Sequence, residues 1–229
     1  MTAHSSTEQE PNRRQPFAVR DAMSTGQMLV SVTLSLIVLV TTSAVAWHGG
    51  VPSWEADALR FVNDWPDWIE PIMWTLQQLG VLAAPLIGGI VIAWVANRWE
   101  YVIPFALLLP LKLIIEKAVL KQLVERQRPF VSIGPDIEVR GPAFEGLSFP
   151  SGHATTAVAF GILVAAFLPR RWQPLPLLWA AAVCIARLYF GEHNVLDVVA
   201  GAAMGTLFAT ILWFTVLNRF VEPDPEAPT

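Results

Sequence analysis

Apolar residues in this chain gather into blocks too long for the core of a soluble domain, with polar residues confined to short intervals between them. Residues 27–47 form an uncharged run of Leu, Val, Ile, Ala, Ser and Thr that predicts a first transmembrane helix. In residues 53–65 the pattern turns amphipathic. Trp54, Ala58, Phe61, Val62 and Trp65 recur at helical spacing, while Glu55, Asp57, Arg60 and Asp64 point elsewhere, with Ser53 placed as the N-cap. This stretch predicts a short helix lying in the membrane interface or over the outer end of a bundle, with Trp47 and Trp68 in the same aromatic belt.

A second span is expected from 71 or 72 to 95, and a third from 101 to about 120. The second half of the third carries Lys112, Glu116, Lys117 and then Lys121; Lys112 and Glu116 stand four apart and are read as a structural pair. After a polar loop at 130–149, residues 153–168, 175–190 and 195–217 supply three more spans. The pattern therefore predicts an all-α, polytopic membrane bundle. Residues 26–219 form a six-span domain with a short interfacial helix, between disordered tails at 1–25 and 220–229. Gly201 and Gly205 form a GxxxG expected to pack closely within the bundle.

Composition agrees. Hydrophobic residues make up 54% of the 229, mean hydropathy is +0.48, and there are ten tryptophans. The net charge of −4 says nothing about partners, but the absence of a basic run outside the polar clusters argues against nucleic acid. The single cysteine, Cys184, allows no intramolecular disulfide and reads as a small core residue. Ala44-Val45-Ala46 resembles a signal-peptidase site, but the apolar run before it is long for a signal peptide, so an uncleaved first span is expected. Arg13, Arg14, Arg20, Arg98, Arg170, Arg171 and Arg219 fall on one side of the six-span layout. Arg60, Arg140 and the basic residues of the polar clusters fall on the other, and with the cluster residues set aside as functional the excess stays with the first. That excess predicts a cytoplasmic N-terminus in a cell-membrane protein.

With that orientation three polar clusters reach the outer face together. The first runs from Lys121 to Arg128-Pro129, the second is Pro150-Ser151-Gly152-His153, and the third runs from Arg187 through His193 to Asp197. His193 and Asp197 share one helical face, so the carboxylate can orient the imidazole and stabilise positive charge on it. The other ring nitrogen is then a competent nucleophile. Ser151-Gly152 opens a helix whose free N–H groups form a ready anion site, and Lys121, Arg128 and Arg187 supply fixed positive charge. Two histidines and an aspartate among three cations are a poor divalent-metal site.

Together these clusters resemble the three signature motifs of the type 2 phosphatidic acid phosphatases, the lipid phosphate phosphatase and vanadium haloperoxidase-like superfamily. The resemblance implies a six-span phosphatase needing no metal or other cofactor and working through a phosphohistidine. It implies His193 as nucleophile, Asp197 as its partner and His153 as the acid for the leaving oxygen. Lys121, Arg128, Ser151, Gly152 and Arg187 would hold the phosphate. The third motif usually begins Ser-Arg, and Ala186 stands there instead.

The expected partners are the bilayer and a lipid phosphate hydrolysed at the outer leaflet. A polyprenyl diphosphate is preferred, with Lys117, Arg126 and Arg140 supplying charge for a second phosphate. Phosphatidylglycerophosphate and phosphatidate come next. A phosphotransferase using an alcohol acceptor, and a non-catalytic protein that binds or moves lipid, are the competing readings. Oligomeric state is left open.

Overall fold

Helices follow the apolar blocks. The computed structural model describes residues 18–47, 50–141 and 146–221; Arg13, Arg14 and most of both expected tails lie outside the described residues. Among the described residues, structure is almost wholly helical, and the only extended pairing is a single bridge between Val19 and Val221.

Helix α1 (Thr25–Trp47) shows one buried stripe, Ser35, Leu39, Thr42 and Ala46, at alternating spacings of four and three. Its remaining apolar residues, such as Leu34, Ile37 and Val40, face outward. Such an exterior suits lipid rather than water. The described residues just ahead of α1, 18–24, are packed on the bundle: Val19 is fully buried, and the Arg20 N–H donates to the Ala166 carbonyl at 3.2 Å.

Helix α2 (Ser53–Asn63) forms where the amphipathic pattern places it, but turned on its axis. Pro52, not Ser53, is the N-cap residue, and Glu55, Ala56, Leu59 and Asn63 face inward. Trp54 and Phe61 are the exposed positions. A carboxylate was expected outside because its burial costs energy; here Glu55 has a fully buried cationic partner, described below.

The second expected span is broken. Helix α3 (Glu70–Gln77) and a 3-10 turn meet α4 (Ala83–Ala96) with a bend of 69°. The third is composite. A 3-10 turn at Trp99–Val102 leads into α5 (Ile103–Leu113), a π-helical stretch (Ile114–Leu120) and α6 (Lys121–Val124). Pro110 and the π stretch loosen the backbone ladder where Glu116 and Lys117 enter. A short α7 (Pro129–Ser132) precedes the loop to α8 (Gly152–Ala165), α9 (Pro174–Tyr189) and α10 (Val195–Thr215).

Among the described residues, two helical segments, Thr25–Trp47 and Val195–Phe220, are long and apolar enough to cross a membrane, and the bent pair is a third if taken as one span. Helix α8 has 14 residues, about 21 Å at 1.5 Å per residue against a hydrocarbon core of about 30 Å. Helix length therefore does not by itself give six spans.

Helix α10 is the centre, packed on α8 and α1, while α9 packs on α8 and α3 on α9. Gly201 and Gly205 let α10 and α8 touch. A Cβ on Gly201 would lie 2.4 Å from the Ser151 carbonyl oxygen, and one on Gly205 would lie 2.5 Å from that of Thr155. This backbone contact joins the second and third sequence clusters.

Candidate active site

The site begins where α9 hands over to α10. Gly191 takes φ +65°, a left-handed turn that a side chain would strain, and a Cβ there would meet the Glu138 carbonyl oxygen at 2.4 Å. The chain turns there into Glu192, His193 and the N-cap Asn194. Asp197 closes a capping box by accepting the Asn194 N–H on Oδ2 at 2.8 Å. Its Oδ1 accepts from Arg126 Nη1 at 3.0 Å. His193 Nδ1 stands 3.7 Å from Asp197 Oδ2, within ion-pair range but longer than a hydrogen bond. Burial, with Arg187 and Arg128 adding repulsion, pushes the His193 imidazole well below its usual range, against the pull of Asp197. The ring is neutral, the form a nucleophile needs.

Behind this pair lies a network that the sequence did not disclose. Arg126 donates to both oxygens of Glu55, at 3.0 and 2.6 Å, and Glu55 Oε1 also accepts the Leu196 N–H at 2.8 Å. Both side chains are fully buried. Two carboxylates thus cap α10 beside one guanidinium, where the helix dipole favours negative charge. The available signal was the acid in the first turn of an amphipathic segment, but nothing in the pattern said which way it faced.

The second cluster sits against the third through the Ser151 N–H, which donates to the Asp197 carbonyl at 2.9 Å. Ser151 Oγ is buried without a hydrogen-bond partner. Gly152 and His153 open α8 directly onto a cavity of about 540 Å³. Lys121, Arg128, Arg187 and His193 line the same cavity, with Lys112 at the end of α5 and Glu116 and Lys117 on the π-helical stretch. Asp197 and Ser151 lie behind that lining, both fully buried.

Lys112, Lys121, Arg128 and Arg187 are each held. Lys121 Nζ donates to the Leu147 carbonyl at 2.8 Å and stands 3.8 Å from Glu116 Oε1. Lys112 and Glu116 approach to 3.4 Å, the pairing their spacing implied. Arg128 Nη1 donates to the Glu192 carbonyl at 2.8 Å, and Nε to that of Gly146 at 3.2 Å. Arg187 donates to Gln77 Oε1 and Glu192 Oε2.

Two residues expected to serve a second phosphate do not reach the cavity. Arg126 is committed to Glu55 and Asp197. Arg140 donates to the carbonyls of Asn63 and Tyr189 at 2.7 and 3.0 Å, pairs with Asp67 and Glu138, and lies over the Tyr189 ring at 4.4 Å. It clamps α2 to the end of α9. Long charged side chains at loop positions look alike in a sequence whether they face a ligand or a carbonyl.

An apolar helical bundle whose buried cations and two histidines converge on one cavity defines a membrane phosphatase. The chain belongs to the PAP2 superfamily, whose sequence profile matches residues 101–220. Lipid A 4'-phosphatase of Bacteroides thetaiotaomicron is 29% identical over 160 residues, 65% of this chain and 71% of that protein. Decaprenylphosphoryl-5-phosphoribose phosphatase of Mycobacterium tuberculosis is 34% identical over 93 residues, 41% of this chain and 49% of that one, so the match spans about half of that relative. The crystal structure of a transmembrane PAP2 type phosphatidylglycerolphosphate phosphatase from Bacillus subtilis shares the fold. Its TM-score is 0.62 at 22% identity, over 81% of this chain and 93% of that one.

Proposed function

We propose that this protein hydrolyses a phosphate ester or diphosphate of a membrane lipid through a phosphohistidine on His193. The observation that carries this reading is the convergence of Lys121, Arg128, Gly152, His153, Arg187 and His193 on one cavity, with Asp197 behind His193. Nδ1 faces Asp197, so Nε2 is the attacking atom. As its lone pair bonds to phosphorus, the bond from phosphorus to the lipid oxygen breaks, and His153 delivers a proton to that oxygen. The ring becomes cationic, and the Asp197 carboxylate at 3.7 Å stabilises it. Lys121, Arg128, Arg187 and the α8 N-terminus hold the equatorial oxygens. Water, giving its proton to His153, then displaces His193 from phosphorus and regenerates the enzyme.

A second cavity supports a lipid substrate. About 330 Å³ of apolar groove runs between α8 and α9, lined by Leu79, Ala157, Phe160, Val164, Trp179 and Val183. Leu79 adjoins Gly80, which lines the polar cavity, and Ala157 lies one turn beyond His153 along α8. A chain attached to a phosphate at His193 could lie there. Six spans, a cytoplasmic N-terminus and a site at the outer leaflet complete the reading, on the loop-charge argument. Polyprenyl diphosphate remains the preferred substrate, ahead of phosphatidylglycerophosphate and phosphatidate, with Lys112 and Lys117 rather than Arg126 and Arg140 as the extra charge. Phosphate release from a panel of these lipids, with a water-soluble phosphomonoester beside them, tests it. Highest kcat/KM on the polyprenyl diphosphate is expected; a preference for the soluble ester overturns the lipid reading.

A further inference from the structure

Glu192 puts a carboxylate among the cations of the cavity, immediately before His193 in the chain. It is buried, and its Oε2 accepts from Arg187 Nη2 and stands 3.9 Å from Arg128 Nη1. One anionic oxygen therefore serves two guanidinium groups, as a phosphate oxygen would. The arrangement is closed by Gln77, whose Oε1 takes the other terminal nitrogen of Arg187, and by the Glu192 carbonyl, which takes Arg128 Nη1. An empty site needs such a counter-charge, because a buried guanidinium without one is strongly destabilising. A filled site cannot keep it in place, since like charges brought together out of water repel strongly.

We propose that the Glu192 carboxylate is a built-in occupant of the phosphate site: it holds Arg187 and Arg128 in the empty enzyme and has to withdraw before a phosphate group binds. No covalent bond changes; one anion replaces another between the same donors. Glu192 is thus a positioning residue that also competes with substrate, with product phosphate and with any analogue. It keeps the arginines ordered at the expense of affinity, and it helps expel phosphate after hydrolysis. The inference rests on the reading that Arg128 and Arg187 bind the phosphate group.

Glu192→Gln tests it in the purified full-length protein, since Gln keeps the shape and removes the charge. KM and the inhibition constants of inorganic phosphate and vanadate are expected to fall together, roughly tenfold or more, the scale of a relieved like-charge contact. kcat should fall by a smaller factor than KM. Glu192→Asp, which keeps the charge but shortens its reach, should tighten both inhibitors by a smaller factor, and it carries the test if the Gln protein does not fold. Inhibition constants that rise or do not change in both variants overturn the proposal and leave Glu192 as a strut. Arg187→Ala is the control for the parent reading. If it binds vanadate as tightly as the unaltered protein, the phosphate site itself is misplaced, whatever Glu192 does.

Discussion

Asp197 directs one carboxylate oxygen at Arg126 and the other at the Asn194 N–H, at 3.0 and 2.8 Å, so its place is fixed whether or not His193 carries charge. Its 3.7 Å separation from the ring has room to close when the imidazole becomes cationic. Asp197→Asn should therefore fold and lose about 10²–10⁴ in rate, because Glu55 still neutralises Arg126 while the nucleophile loses its support. His193→Ala should abolish turnover. His153→Ala should still form phosphoenzyme from a substrate with a very good leaving group, and single-turnover trapping distinguishes these outcomes. Near-normal hydrolysis by the His193 variant would refute the mechanism. Activity should also persist in EDTA and be blocked by vanadate, whose trigonal-bipyramidal form resembles the transition state; loss in EDTA with rescue by a divalent ion would refute the metal-free chemistry. Spacing predicts one helical face for His193 and Asp197, whereas His193 stands in the turn before Val195 and the two approach through the cap of α10. Nor could spacing show Glu192 beside them, since a residue in a turn between two helices has no periodicity to report its direction.

Among the elements, α2 departs most from expectation. Its exposed aromatic residues and its buried acid both belong to an amphipathic helix, but amphipathicity ranks faces by polarity and cannot foresee a buried guanidinium on another element. Glu55→Ala would leave Arg126 with Asp197 alone in a dry site. A loss of about 3–5 kcal/mol is expected, read as a lowered Tm in detergent, and an unchanged Tm would show that the pair carries no stability. The GxxxG of α10 was legible for a simpler reason: two small residues one turn apart permit close backbone contact wherever they fall. The broken second span was not, because apolar content alone does not register a bend at residues 81–82.

For the whole molecule, the membrane frame sets which groups meet. Single cysteines at Asp67 and Arg171, in a Cys184→Ser background, should label from opposite faces of intact cells, Asp67 from outside. Asp67 is preferred to Arg140 as the outer probe because its side chain is 78% exposed whereas Arg140 is buried. The reverse labelling would move the cavity to the cytoplasmic face. The six apolar blocks were readable in outline, though bends, a π-helical stretch and a 14-residue α8 keep helix length from counting them. The tie from Glu55 to Arg126 and Leu196 also limits how far this site can be cut down or transplanted. The family profile starts at residue 101, well after α2. A fragment made to that boundary would carry every signature residue yet leave Arg126 short of a counter-ion and α10 short of its second cap. A portable unit of this chemistry has to reach back at least as far as α2.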